Sequence, residues 1–515
     1  MTNSATSPAT SNRVLRSLAL RVETAAEDAL VAAPPEIDNG DEARYSDKCG
    51  TYTKCIQQKA IGVVDPDAYQ TFKKALNSGS PADFAAIKVG GTRTLNGPQG
   101  GLAFDPEGLD NSQFAVPPAP AVASEAYGTE LVEMYWASLL RDIAFTDYPS
   151  NPVAIKAANE LSSMGSYAGP RDASKKVTPQ LLFRGHFPGE TIGPYMSQFL
   201  LKKTAMGALD IDQKYSTLKA GIDYMTDPTT FQQVQNGIDT GKKVMPDTAV
   251  YLRNGRDLCA YTHVDVLYQA YFTAYLVLNT IGTPLNPGNP YIGSKTQNGF
   301  NTLGQPDIAA TLTAVASEAL KAVWYQKWYI HLRHRPESGG ALVHLAKTGQ
   351  GNTVQCQLNN NVPNSQAVQS SFAKYGTYFL SQAFPEGSPA HPAYPTGHGT
   401  VAGACITVLK YFFDGDFVIP NPQVPSSDGM TLNNYTGADA GQMAVNGELH
   451  KLADNVSFGH GIHAGIHWRS DTDTSVELGE AVALAVLNDQ TRTYNEKCTV
   501  KLRKLDGSIA TITNQ

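Results

Sequence analysis

A chain of 515 residues with 42% apolar and 17% charged side chains has the balance of a globular protein, large enough for one big domain or two to three ordinary ones. Its net charge of −7 argues against a general nucleic-acid binder, which needs a basic face, and six cysteines in this length do not make a disulfide scaffold. No apolar run approaches the roughly 18 residues of a membrane span, so the chain reads as soluble, with its compartment left open.

The opening stretch, MTNSATSPATSNRVLRSLALRVETAAEDAL, carries arginines but no sustained apolar segment. It reads as a polar tail leading into an amphipathic helix, without the pattern of a secretory signal. Residues 1–125 are rich in Gly, Pro, Asp and Ala, with GGTRTLNGPQGG and VPPAPAVAS as breakers, and read as an extension wrapped on a body of residues 126–515. Cys49 and Cys55, in CGTYTKC, are close enough to pair; Cys259, Cys356, Cys405 and Cys498 are scattered and read as buried free thiols. Helix signals dominate from SEAYGTELVEMYWASLLRDIAF onward. The stretch LCAYTHVDVLYQAYFTAYLVLNTIG is apolar nearly all round and predicts one central buried helix. A long helix follows in PDIAATLTAVASEALKAVWYQKWYIHLRHRP, stopped by Pro336, and two more in SQAVQSSFAKYGTYFLSQAF and TGHGTVAGACITVLKYFF. Long Pro/Gly/Asn loops between them have the length of lids or subunit contacts. The end, CTVKLRKLDGSIATITN, alternates around Asp506-Gly507 as a β-hairpin does. The expected class is mainly α, a helical bundle with a short C-terminal hairpin.

Three clusters carry candidate chemistry. In VWYQKWYIHLRHRPE, Lys327 and Arg335 stand eight residues apart among aromatic side chains. Alone, such a pair is usually a solvated basic face. In HPAYPTGHGTVAGACITVLKYFF, Pro395-Thr396-Gly397-His398 opens a helix whose first turn is small. A helix N-terminus offers unpaired N–H groups and the positive end of the dipole, with Gly397 allowing close approach and Thr396 a hydroxyl. In NVSFGHGIHAGIHWRSDTD, with Asp454 just before it as an N-cap, His460, His463 and His467 fall at i, i+3 and i+7 on one helical face. His463 and His467 have the spacing of a zinc pair, but no carboxylate accompanies them within the run and the other clusters supply cations. An anion-ready helix end beside Lys and Arg points to a bound oxyanion. His463 reads as packing.

In this order, Lys327 with Arg335-Pro336, then Pro395-Thr396-Gly397-His398, then Gly465-Ile466-His467 with Asp471 resembles the signature shared by vanadium-dependent haloperoxidases and acid phosphatases of the phosphatidic-acid-phosphatase type. GLAFDPEG, MYWASLLRDIAFTDY, LLFRGHFPGETIGPYMSQFLL and GRDLCAYTHVDVLYQAY are similar to the red-algal bromoperoxidase type and its cyanobacterial relatives, as is the K-x7-RP spacing. The resemblance implies the helical-bundle fold of that superfamily and a vanadate cofactor. It implies a haloperoxidase that uses hydrogen peroxide to oxidise bromide, or chloride or iodide, to hypohalous acid that halogenates organic substrates. The alternatives are a phosphatase with a histidine nucleophile and a site-impaired structural relative. By resemblance His467 is the vanadium ligand, and Lys327 and Arg335 bind its oxygens. Lys327 also polarises the peroxide, Thr396 and Gly397 add a hydroxyl and an N–H, and His398 is the acid–base group. His391 matches the bromide-oxidising members and Trp324 the chloride-oxidising ones, so halide preference stays open. A homo-oligomer is implied, as large as a dodecamer, with no nucleic-acid or membrane partner; a structural calcium is not readable. One departure stands out: the family carries an arginine six residues before the axial histidine, and this chain has Gly461 there, with His460 beside it. His460 is the one candidate to stand in, so vanadate affinity is expected to be weaker or more dependent on pH.

Overall fold

Along the chain, in a computed structural model that describes residues 11–246 and 248–515, run α1 (Arg13–Asp28), α2 (Glu125–Leu140), α3 (Gln305–Tyr325), α4 (Pro336–Lys347), α5 (Gly397–Phe412), α6 (Val445–Phe458) and α7 (Arg469–Thr493). The hairpin β1 (Thr499–Arg503) and β2 (Ile509–Thr513) ends the chain, and shorter helices and turns fill the intervals. Strands among the described residues form only two-stranded antiparallel ladders.

The centre is α5, whose 16 residues are all buried against α3, α6 and α7. Its small-residue face explains how. A Cβ at Gly403 would lie 1.9 Å from the Val476 carbonyl oxygen, and one at Gly479 would lie 2.0 Å from that of Thr400. The α5 and α7 backbones therefore touch, which only glycine allows. This close approach brings the start of α5 beside the start of α7, where the candidate site lies.

Several elements differ from the sequence reading. The single central helix is two, Gly255–Tyr261 and Gln269–Thr280. Thr262-His263-Val264-Asp265-Val266 between them is β-branched and polar, and the Thr262 hydroxyl bonds back to the Leu258 carbonyl, 3.0 Å away. Pro336 does not stop the long helix. It opens α4 at the first helical position, where its missing N–H costs nothing. The preceding helix ends in a π-turn, Gln326–His331, closed by Leu332 in the left-handed region (φ 42°). The helix from Gln366 stops at Tyr375, capped by left-handed Gly376, so TYFLSQAF lies outside it. Asp454 is not an N-cap but lies inside α6, whose cap is Ala444. The hairpin forms as expected, paired from Thr499↔Thr513 to Arg503↔Ile509 with Gly507 at φ 84° in its turn.

Cys49 is disulfide-bonded to Cys356, 307 residues away, and not to Cys55, which is a buried thiol with Cys259, Cys405 and Cys498. The intervening residues are pinned to the body: Tyr52 N–H donates to the Leu332 carbonyl (2.8 Å), and Lys54 Nζ donates to Glu337 (2.7 Å). Cys55 is thereby turned away, beneath Gly237. The expected polar tail of residues 1–10 lies outside the described residues. The amphipathic α1 forms, but buries none of its side chains. No described helix is long and apolar enough to cross a membrane.

Candidate active site

Four chain segments meet at the N-terminus of α5. The π-turn after α3 delivers Lys327, the extended residues before α4 deliver Arg335, the α5 cap delivers Thr396 and Gly397, and the segment before α7 delivers His467. A second π-turn, Gly459–His463, ends α6. Each π-turn inserts one residue relative to an α-helix and re-aims the side chains around it. The first places Lys327 inside, wholly buried, and the second places His460 inside.

His467 has a defined tautomer. Its Nδ1–H donates to Asp471 Oδ2 at 2.9 Å, which leaves the Nε2 lone pair facing Arg335 Nη1 at 2.7 Å. Asp471 is held in turn by the Trp468 N–H (3.1 Å) and by Arg333 Nη1 (2.6 Å), and its carbonyl accepts from Thr396 N–H (3.0 Å). Arg333 also donates to Glu130 (3.0 Å). Arg335 spreads its other donors over the His391 and Ile466 carbonyls (2.9 Å each) and His391 Nδ1 (3.0 Å). Lys327 donates to the Pro392 and Ala393 carbonyls at 3.0 and 2.8 Å.

On the opposite wall the His398 and His460 rings stack with centroids 3.7 Å apart. His398 Nε2 donates to Asp265 (2.8 Å) and His460 Nδ1 to the Thr262 carbonyl (3.2 Å). Both anchors come from the break in the central helix. Trp324 stacks on His391 (4.7 Å), and a Cβ at Gly397 would meet its ring at 3.1 Å, so the indole covers the helix N-terminus.

The electrostatics are one-sided. Burial, with Arg335 next to it, pushes the Lys327 ammonium well below its ordinary range, and burial pulls Arg335 down to about 10. His391, His460 and His467 are likewise held well below the usual imidazole value, first by burial and then by neighbouring cations and rings. A buried pocket lined by a lysine, an arginine and four imidazoles, with Asp471 tied to Arg333, is built for an anion. Thr396 Oγ1 is wholly buried and bonds to no protein group, as a hydroxyl aimed at an oxyanion would be. The donor set fits vanadate: one unprotonated imidazole nitrogen, a lysine, an arginine, a hydroxyl and a helix N-terminus. No described cluster of three or more His, Cys, Asp or Glu side chains suits a metal cation.

Residues 307–496 match the family model described as the VCPO second helical-bundle domain. The chain is 32% identical to the vanadium-dependent bromoperoxidase of Corallina officinalis, over 92% of each chain. It belongs to the vanadium-dependent haloperoxidase family. The vanadium-dependent bromoperoxidase of Ascophyllum nodosum is 30% identical, with 92% of this chain and 87% of that one covered. The homohexameric structure of the second vanadate-dependent bromoperoxidase of the same alga superposes with a TM-score of 0.92 at 28% identity, covering 97% of this chain and 90% of that one. The mainly helical bundle is thus the haloperoxidase fold.

All the candidate side chains predicted from sequence, Trp324, Lys327, Arg335, His391, Thr396, Gly397, His398, His460 and His467, lie in this one pocket or on its wall. The three histidines do not share a helical face, because the π-turn and the turn after it intervene. His463 points away and packs on Phe145 and Phe183, with Nε2 2.9 Å from the Tyr195 hydroxyl. Asp265 and Arg333 were missed. Asp265 sits in a stretch that reads as helix interior, and Arg333 is indistinguishable from its neighbours in HLRHRP.

Proposed function

We propose that this haloperoxidase is a bromoperoxidase, which holds vanadate in the pocket at the start of α5 and uses hydrogen peroxide to oxidise bromide to hypobromous acid for the halogenation of organic molecules. Bound vanadate supplies a Lewis acid that activates peroxide without changing oxidation state. The observation that carries the reading is the His467 tautomer. Asp471 fixes the proton on Nδ1 and so leaves a buried Nε2 lone pair, which faces Arg335.

The protein's own groups then divide the work. Lys327 and Arg335 would hold the oxyanion and offset its charge. Gly397 N–H and the Thr396 hydroxyl would add two further hydrogen-bond donors to it. His398, with Nε2 committed to Asp265, keeps Nδ1 for taking and returning a proton. Trp324 over Gly397 and His391 against Arg335 shape the approach of halide and tune its choice. Residues 1–125 serve as an extension on the catalytic body of 126–515, and the chain assembles as a homo-oligomer, the finer proposal being a dodecamer, which light scattering measures.

Full-length similarity to bromoperoxidases favours this reading over a phosphatase in the same pocket. The deciding assay is peroxide-dependent bromination of a phenolic dye, with and without vanadate loading. Hydrolysis of phosphate esters without bromination would reverse the choice.

A further inference from the structure

Beside the pocket lies a group of buried polar side chains with no part in holding vanadate. Asp454 and Ser457 stand three residues apart on α6 and share a face, while Thr472, Ser475 and the half-buried Asp473 stand on α7. The Ser457 and Thr472 hydroxyls bond to no protein group, although both residues are 0% exposed, and Asp454, 2% exposed, has the Glu190 carboxyl as its side-chain hydrogen-bond partner. Leaving such groups unpaired costs about 1–3 kcal/mol apiece, a cost that bridging water would remove.

Glycines make room for these side chains and mark where they meet. A Cβ at Gly185 would lie 1.5 Å from Asp454 Oδ2 and 2.5 Å from both Glu190 carboxylate oxygens, so the two carboxyls meet there. A Cβ at Gly399, next to His398, would lie 1.9 Å from Ser475 Oγ and 3.4 Å from Ser457 Oγ. One at Gly461, next to His460, would lie 3.7 Å from Thr472 Oγ1. At the outer end Asp473 Oδ2 is 3.9 Å from Nδ1 of His186, whose side chain is 46% exposed.

Glu190 accepts from the N–H groups of Gly185 (3.2 Å) and Phe187 (3.0 Å), which suits it to be the anion of the carboxyl pair. Burial, with Glu190 and Asp473 beside it, holds Asp454 well above the ordinary carboxyl range, so it keeps its proton. Burial pushes Asp473 up to about 8. The other titratable and charged groups facing these carboxyls are Arg469 on α7, Glu130 and Glu133 on α2, and Arg184, Tyr195 and Tyr271.

We propose that Asp473, Glu190 and Asp454 form a proton relay that carries protons from solvent at His186, through the Ser457, Ser475 and Thr472 hydroxyls and bridging water, to the His398–His460 pair. The inference rests on the haloperoxidase reading, because that reaction consumes a proton. The halide gives two electrons to the peroxide O–O bond, one oxygen leaves in hypohalous acid and the other as water: X⁻ + H₂O₂ + H⁺ → HOX + H₂O.

The test uses full-length, vanadate-loaded Asp454→Asn, Asp473→Asn and Ser457→Ala, with vanadate affinity measured alongside. Asp473 lies at the outer end, so its isosteric variant folds even if a core variant does not. In both Asn variants the expected kcat for bromination falls at least about tenfold at alkaline pH, with a smaller loss in acid and vanadate affinity unchanged. The alkaline limb of the pH profile moves to lower pH, and small protonated buffer acids restore part of the rate. In the protein without vanadate, Asp454→Asn removes a carboxylic-acid C=O band from the neutral-pH infrared spectrum. Unchanged pH profiles in both Asn variants, or losses equal at every pH and accompanied by weaker vanadate binding, overturn the relay. A wild-type protein that loads vanadate but does not brominate sinks the haloperoxidase reading instead.

Discussion

Replacing Asp471 by Asn tests how this protein prepares His467 as the proposed vanadium ligand. Asp471 accepts from His467 Nδ1 (2.9 Å) and Trp468 N–H (3.1 Å) on one oxygen and from Arg333 (2.6 Å) on the other. Asparagine has one acceptor oxygen. The buried guanidinium claims it, because an amide N–H facing Arg333 would set donor against donor beside a desolvated cation. The amide N–H then faces His467 Nδ1, which must become the acceptor, and the ring proton moves to Nε2. A protonated Nε2 cannot bind vanadium. Changes of this kind behind a metal ligand cost about 10–100-fold in affinity, or about 1.4–2.7 kcal/mol. Stability falls separately by about 1.5–3 kcal/mol for the lost charged hydrogen bond, while Arg333 keeps Glu130. Equilibrium dialysis of vanadate against wild type and Asp471→Asn reads the first effect, and urea unfolding without vanadate reads the second. A folded Asp471→Asn that binds vanadate within roughly twofold of wild type refutes the tautomer argument.

Three further outcomes follow from the geometry. His460→Arg places a guanidinium where the second π-turn already points, and is expected to tighten vanadate binding by about tenfold. Gly461→Arg weakens it, since a Cβ there would lie 3.0 Å from His467 Cβ; the reverse ranking in a dialysis titration would show that the π-turn does not set the pocket. His331, His334 and His463 are held at about 3, 4 and 3, chiefly by burial, below the ordinary value of about 6.5. Their neutral forms stabilise the fold, so stability is complete above about pH 6.5 and is lost as pH falls toward those values, by up to about 1.4 kcal/mol per unit for each. A urea midpoint that stays constant between about pH 7 and pH 5 contradicts this. Replacing both Cys49 and Cys356 by Ser costs about 2–5 kcal/mol of stability, read as a lower midpoint. It also weakens vanadate binding, because the Cys49 carbonyl holds His334 beside Arg335 (2.9 Å). Unaltered binding would assign the disulfide to stability alone.

The legible part of this protein was its chemistry. Lys327, Arg335, the Pro395–His398 turn and His467 are recognisable because each residue type suits an oxyanion pocket and their order along the chain is distinctive. Their geometry was less legible for definite reasons. A π-turn adds one residue without disturbing the apolar pattern around it, so nothing in VWYQKWYIH or SFGHGIH announces that Lys327 and His460 turn inward. The helix break at Thr262–Tyr268 lies in a run whose hydrophobicity reads as continuous, and Asp265 was hidden with it. The Cys49–Cys356 pairing depends on where residues 50–54 dock, a contact between distant segments that local spacing cannot encode. Gly403 and Gly479 let the α5 and α7 backbones touch, a contact between distant segments that neither helix shows by itself.

The central claim is that His467 Nε2 alone binds vanadium in this pocket, and it is tested most directly by X-ray absorption on the vanadate-loaded protein and its His467→Ala variant. The account predicts one vanadium per chain with a single imidazole nitrogen ligand in the wild type and loss of that ligand, with bromination, in His467→Ala. A variant that keeps its nitrogen ligand, or vanadium bound by oxygen alone in the wild type, contradicts it.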